Sequence, residues 1–207
     1  GIYVYRFDTI TGASKEISNI EAVNPSYLTI SDNEKFIYAV SEDKEEKAVI
    51  SAFSFDNDKG ELTFINKQHA GGNAPCFVSI DQTGKHLVVA NYSGGSISEF
   101  TTNNDGSLNP ATNVISFSGK SIDEKRQKQP HLHCVMFSPD QRFVFANDLG
   151  TDKIYKLNAD STKSNYLSIG QPPFYLFKAG SGPRHMEFHP NGKYLYVLTE
   201  LSGEVVV

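Results

Sequence analysis

The sequence predicts an all-β fold, a β-propeller built from four-stranded antiparallel blades. Three observations predict it. A proline-led motif recurs at intervals of 50, 55 and 53 residues, short aromatic or β-branched runs stand between turn residues, and no helical periodicity is sustained. The composition fits: of 207 residues 39% are hydrophobic and 21% charged, with 16 Gly and 9 Pro, an ordinary balance for a chain with a packed core.

The first strand of each repeat opens at its proline, in Asn24-Pro25-Ser26-Tyr27-Leu28, Ala74-Pro75-Cys76-Phe77-Val78, Gln129-Pro130-His131-Leu132-His133 and Gly182-Pro183-Arg184-His185-Met186. A polar turn follows: Asp32 to Lys35, Asp81 to Lys85, Pro139 to Arg142, and Pro190 to Lys193. Its Gly and Asn residues accept positive φ, and Pro presets the entry. The second strand is an apolar run, as in Phe36-Ile37-Tyr38-Ala39-Val40 and His86-Leu87-Val88-Val89-Ala90. A third run covers Ala48 to Phe53, Ser96 to Phe100, Lys153 to Leu157 and Glu204 onward. A fourth, more polar run such as Glu61-Leu62-Thr63-Phe64-Ile65 completes the blade as its outer edge.

The phase of the repeat bears on the ends. Tyr5-Arg6-Phe7-Asp8 matches Phe53-Ser54-Phe55-Asp56, so the chain is expected to begin in a third strand and, at Val207, to stop in another. Residues 1–207 therefore read as a partial β-propeller domain, a fragment cut in mid-blade at both ends and starting without Met.

Several function classes drop out. No window of 18 consecutive apolar residues exists, which excludes a helical membrane span. The net charge is −5, and the most basic stretch is the mixed Asp123-Glu124-Lys125-Arg126-Gln127-Lys128, so no nucleic-acid partner is expected. Cys76 and Cys134 are too few for a disulfide scaffold and read as small inner-strand packers. Unpaired thiols favour a reducing, cytoplasmic compartment. No nucleophile elbow or phosphate-cradling loop is present, and no cofactor or metal is expected. Nothing in the sequence specifies an oligomeric state.

Candidate chemistry lies where the copies differ. The residue after the repeat proline is Ser26, Cys76, His131 or Arg184, and two places on stand Leu28, Val78, His133 and Met186. The second strands end in Ser41-Glu42, Asn91-Tyr92, Asn147-Asp148 and Thr199-Glu200. Counting around the hairpins sets Arg184 opposite Glu200 and His131 close to Asp148, at one mouth of the channel. The acid there recurs in three copies and is also explained as blade architecture. A histidine exchanges protons near neutrality, and an arginine binds a carboxylate or phosphate or stabilises an oxyanion. Together they suit opening or closing a lactone in an anionic sugar acid or muconate. The alternatives are a structural Arg184–Glu200 salt bridge and a His131/His133 metal pair lacking a third ligand. His69, His86, His185 and His189 read as surface or packing residues.

Three stretches carry a family resemblance. They are Gly72-Asn73-Ala74-Pro75-Cys76 with Val88-Val89-Ala90-Asn91-Tyr92-Ser93-Gly94-Gly95, Pro130-His131-Leu132-His133 with Asn147-Asp148-Leu149-Gly150-Thr151-Asp152, and Gly182-Pro183-Arg184-His185 with Tyr196-Val197-Leu198-Thr199-Glu200. In these the chain resembles the lactonase family of seven-bladed propellers, which includes propeller-type 6-phosphogluconolactonases and 3-carboxy-cis,cis-muconate lactonizing enzymes. The resemblance implies that about four of seven blades are present. It matches Arg184 and Glu200 to a catalytic Arg and Glu, and places a catalytic His at His131 or His133, with His131 preferred. It puts a second Arg beyond Val207.

The implied function is hydrolysis of a sugar lactone such as 6-phosphogluconolactone, with a small anionic lactone or sugar acid as partner. Asn91 and Asp148, at the ends of second strands, are expected to bind substrate. The alternatives are a 3-carboxymuconate cycloisomerase and a non-catalytic propeller that docks a protein on its face.

Overall fold

A computed structural model describes residues 1–163 and 165–207. Among the described residues seventeen strands form five antiparallel sheets. A two-stranded sheet pairs β1 (Ile2–Phe7) with β2 (Ser14–Ile20). The first four-stranded blade follows, from β3 (Leu28–Ile30), β4 (Phe36–Ser41), β5 (Val49–Asp56) and β6 (Glu61–His69). The second contains β7 (Pro75–Ile80), β8 (His86–Asn91), β9 (Ser96–Thr101) and β10 (Asn113–Ser116). The third contains β11 (Leu132–Phe137), β12 (Phe143–Asp148), β13 (Lys153–Ala159) and β14 (Leu167–Leu176). A three-stranded sheet of β15 (Pro183–Phe188), β16 (Leu195–Thr199) and β17 (Glu204–Val206) comes last. Among the described residues the only helical turn is a 3-10 segment, Glu45–Lys47. The blades are meanders, each strand pairing with its neighbour in sequence, as the apolar runs and turns predict.

The cores lie between blades because strand side chains alternate in direction. In β8, Leu87 and Val89 pack toward the first blade with Tyr38, Val40, Ile50 and Phe100, while Val88 and Ala90 pack toward the third with Val135, Val144 and Ala146. In β4, Tyr38 and Val40 face the second blade, and Ile37 and Ala39 face Ile2 of the two-stranded sheet. Each second strand is thus apolar on both faces and each outer strand half exposed, which is why the fourth runs are the polar ones.

The inner hairpins fix the phase of the repeat. In each, one turn residue donates its amide to the carbonyl five places on: Ser31 to Phe36, Asp81 to His86, Ser138 to Phe143 and His189 to Tyr194. The residue three places after it has positive φ in every copy: Glu34, Gly84, Gln141 and Gly192. Pro25, Pro75 and Pro183 stand six residues before this turn residue, but Pro130 stands eight before it. The third repeat is thus two residues longer between proline and turn. This moves every inner-strand correspondence in that blade.

Candidate active site

Register shows what the shift does. Pro75 pairs with Asn91, Leu132 with Asp148, and Pro183 with Thr199. Just beyond each pair the inner strand carries one residue more than its partner: Cys76 before the Phe77–Ala90 pair, His133 before Cys134–Asn147, and Arg184 with His185 before Met186–Val197. Such a bulge re-aims the side chain at a strand end. His133 is therefore the structural counterpart of Cys76 and Arg184, and His131 is the counterpart of Ala74 and Gly182. The carbonyls of Ala74, His131 and Gly182 accept the amides of Tyr92, Leu149 and Glu200. Ser26, Cys76, His133 and Arg184 all line one cavity of about 360 Å³, together with Tyr27, Glu42, Tyr92, Arg126 and His185.

Glu200 bridges the two arginines of this cavity wall. Its Oε2 forms an ion pair with Arg184 Nε at 2.9 Å, and its Oε1 accepts a hydrogen bond from Arg126 Nη2 at 2.6 Å. The pairing expected between Arg184 and Glu200 is present, with both carboxylate oxygens committed. Burial raises the Glu200 carboxyl, but the hydrogen bond and charge of Arg126, and then Arg184, outweigh it and leave the group below its usual value. Glu200 thus stays ionised and organises two guanidinium groups.

His133 faces the same cavity. Its Nδ1 is enclosed without a hydrogen-bond partner, leaving Nε2 as the cavity-side nitrogen. Burial, followed by the neighbouring Arg184 charge, pushes its pKa down to about 4, so the ring is neutral at physiological pH. His185 sits edge-on to it, with centroids 5.3 Å apart, and burial followed by Arg184 lowers its pKa as well. The expectation of a packing role for His185 is half right: it packs on Tyr27 and Phe77 and also lines the cavity. His86, read the same way, stacks on Tyr166 at 3.7 Å.

Three expectations need correction. His131, the preferred imidazole, stacks on Tyr92 at 4.3 Å and donates Nδ1–H to the Tyr92 carbonyl at 3.1 Å, so it supports the wall rather than lining the cavity. Asp148 lies close to His131, as the hairpin count expects, but the expectation that it binds substrate meets a carboxylate that is 0% exposed. Its Oδ1 accepts the backbone amides of His131 and Gly150 at 2.7 and 2.9 Å, and its Oδ2 accepts the Thr151 hydroxyl at 2.6 Å. The two-residue shift explains this, since Asp148 pairs like Asn91 and Thr199 while Leu149 takes the place of Glu200. Asn91 is also fully buried, donating to Ser96 and Ser98 hydroxyls at 3.1 and 2.9 Å, and has no surface to offer a substrate.

Arg126 is the residue that sequence reasoning missed. It belongs to the stretch dismissed as too mixed in charge for nucleic acid, in the connection from β10 to β11. Only the length of that connection hinted at a role. Among the described residues no group of three or more His, Cys, Asp or Glu side chains is placed to hold a metal ion. Cys76 and Cys134 are buried free thiols, and burial pushes Cys134 up to about 12, which removes it as a nucleophile. No helix is long and apolar enough to cross a membrane among the described residues.

The arrangement can do acyl chemistry: a neutral imidazole to accept a proton, and two guanidinium groups fixed by one carboxylate to hold negative charge.

A model of the family described as "Lactonase, 7-bladed beta-propeller" matches residues 1–207. The chain is 36% identical over 207 residues to a 6-phosphogluconolactonase of Formosa agariphila, covering 99% of this chain and 59% of the relative. It is 37% identical to a 6-phosphogluconolactonase of Bacillus subtilis, covering 100% of this chain and 57% of that one. A solved structure of a periplasmic gluconolactonase from Pseudomonas aeruginosa superposes with a TM-score of 0.90 at 32% identity, covering 98% of this chain and 58% of that protein. The chain thus spans less than three-fifths of the length of these relatives.

Proposed function

The chain belongs to the lactonase family of seven-bladed β-propellers, and from that premise we propose that it hydrolyses a sugar lactone, with 6-phosphogluconolactone as the leading candidate. The observation that carries this reading is His133, a neutral imidazole on the cavity wall, beside Arg184. The names of the Formosa and Bacillus relatives supply the candidate substrate and weigh toward hydrolysis over cycloisomerisation.

In the proposed reaction Nε2 of His133 takes a proton from water as its oxygen adds to the lactone carbonyl carbon. The carbonyl oxygen becomes an oxyanion and is stabilised by the Arg184 guanidinium, whose Nη groups have no partner among the described residues. Collapse re-forms the carbonyl and breaks the ring C–O bond, and the imidazolium returns its proton to the departing ring oxygen. Glu200 takes no proton in this scheme. It holds Arg184 in place. The buried free thiols support a cytoplasmic setting for the reaction, although one similar protein bears a periplasmic name.

The test is the initial rate of acid release from 6-phosphogluconolactone by the wild-type chain and by His133→Ala. Catalysis that falls roughly 100-fold or more in the variant fits a general base. A rate no greater than spontaneous hydrolysis for the wild type, or equal rates for the two proteins, overturns the proposal.

A further inference from the structure

We infer that Arg126 is a specificity-determining residue that takes the exocyclic anionic group, phosphate or carboxylate, of the lactone substrate at the rim of the cavity. This deepens the lactonase reading above and rests on it.

The first support is how the guanidinium is used. Arg126 Nη2 makes both of its contacts, to Glu200 Oε1 at 2.6 Å and to the Tyr92 hydroxyl at 3.2 Å. Nε and Nη1 have no hydrogen-bond partner among the described residues, so donors on two edges of the guanidinium remain for a ligand. Each can give a single charge-assisted hydrogen bond to an oxygen of a phosphate or carboxylate. The Arg126 side chain is 43% exposed, so it is reachable from solvent.

The second support is that the loop is built to hold it there. Asp123 Oδ1 accepts the amides of Lys125 and Arg126 at 2.8 and 2.9 Å. The next residue, Gln127, is fully buried and donates Nε2–H to the Leu149 carbonyl and to Asp152 Oδ1, each at 2.9 Å. Asp152 is itself 1% exposed and accepts the amides of Gly180 and Gly182, each at 2.7 Å, and the Ser121 hydroxyl at 2.5 Å. One buried carboxylate therefore ties the Arg126 loop to the segment leading into Arg184. An exposed surface arginine has no need of such an anchor. A preset ligand arm does, because ordering it in advance lowers the cost of binding.

The third support is a division of labour. Arg184 and Arg126 sit on different oxygens of the Glu200 carboxylate, Arg184 from β15 beside His133 and Arg126 from the β10–β11 loop. A substrate whose acyl carbon lies by His133 and Arg184 meets Arg126 with another of its groups. Two acids, Glu42 on the cavity wall and Glu200 bridging its two arginines, oppose the two guanidinium charges. A doubly charged ligand group consequently depends on direct guanidinium contact rather than on a general field.

The experiment compares wild type, Arg126→Ala and Arg126→Lys on three lactones: 6-phosphogluconolactone, neutral gluconolactone and a glucaric acid lactone bearing a carboxylate. Binding of 6-phosphogluconate to each protein is measured by calorimetry alongside. Arg126→Ala is expected to raise KM about 10- to 100-fold for one charged lactone. The loss on that lactone exceeds the loss on gluconolactone at least about tenfold, and Lys restores part of it. Which charged lactone suffers identifies phosphate or carboxylate as the group recognised. Equal losses on charged and neutral lactones, or no loss, overturn the assignment. If wild type turns over none of the three, the lactonase reading falls. The Arg126 assignment is then decided by calorimetry alone, upheld if Arg126→Ala weakens 6-phosphogluconate binding tenfold and overturned if it does not.

Discussion

His133 and Arg184 occupy the same point of successive sheets: each is bulged out of its inner strand beside the residue that pairs with the end of the second strand, Asp148 in one case and Thr199 in the other. The bulge aims both side chains into one cavity, whereas His131 stays stacked on Tyr92. His133→Ala is therefore expected to lower kcat by roughly 10²–10⁴-fold. His131→Ala should cost less than about tenfold in rate and on the order of 1 kcal/mol in stability, through the lost stack and hydrogen bond. Initial rates and urea midpoints for the two variants check this, and the reverse ranking would sink the assignment of His133.

The low pKa of His133 makes a pH prediction. A base that titrates at about 4 keeps kcat/KM on its plateau well below pH 6, and the acid limb falls near pH 4. After burial the main cause of that depression is Arg184, so Arg184→Gln moves the acid limb toward neutrality even as kcat falls. Stability follows the same residue. As pH drops from about 6.5 to about 4, the unfolded chain takes up a proton that the folded ring refuses, and up to about 3 kcal/mol is lost across that window. A pH–rate profile unchanged by Arg184→Gln would contradict this account.

Asp148 is expected to behave as a structural residue. Three donors converge on its carboxylate inside the third blade, so Asp148→Ala strands two buried backbone amides and a hydroxyl. A loss of about 2–4 kcal/mol in urea unfolding follows. KM of the folded variant should stay within about threefold of wild type, since the carboxylate is enclosed. A large KM effect with unchanged stability would restore Asp148 as a ligand.

The architecture was legible in the sequence because each blade announces itself locally. A proline, a polar turn and an apolar run such as His86-Leu87-Val88-Val89-Ala90 suffice to place a hairpin, and the polar outer runs follow from exposure. Arg184 and Glu200 were legible for the same reason, lying across one short hairpin. The third blade was misread where Pro130 stood in for a structural landmark. The turn residue Ser138 and the positive-φ position at Gln141 were the better guides to its register. Arg126 was out of reach, since its partner Glu200 is 74 residues away and the β10–β11 connection that carries it follows no repeat.

Two glycines separate steric from conformational constraint. A Cβ on Gly150 would lie 1.8 Å from the backbone carbonyl oxygen of Gln129 and 3.0 Å from the amide nitrogen of His131, atoms that cannot rotate away. Gly150→Ala must therefore push the Gln129–His131 backbone off the third blade, and His133 with it. A loss of more than about 3 kcal/mol and a fall in kcat are expected together. Gly84 has φ of +70°, but a Cβ there meets nothing within 4 Å. The equivalent turn positions already hold Glu34 and Gln141 at positive φ. Gly84→Ala should accordingly cost only about 1 kcal/mol and leave kcat unchanged. Urea unfolding and initial rates for the pair decide the matter, because a mild Gly150→Ala would mean that the third blade does not hold Gln129 against Gly150.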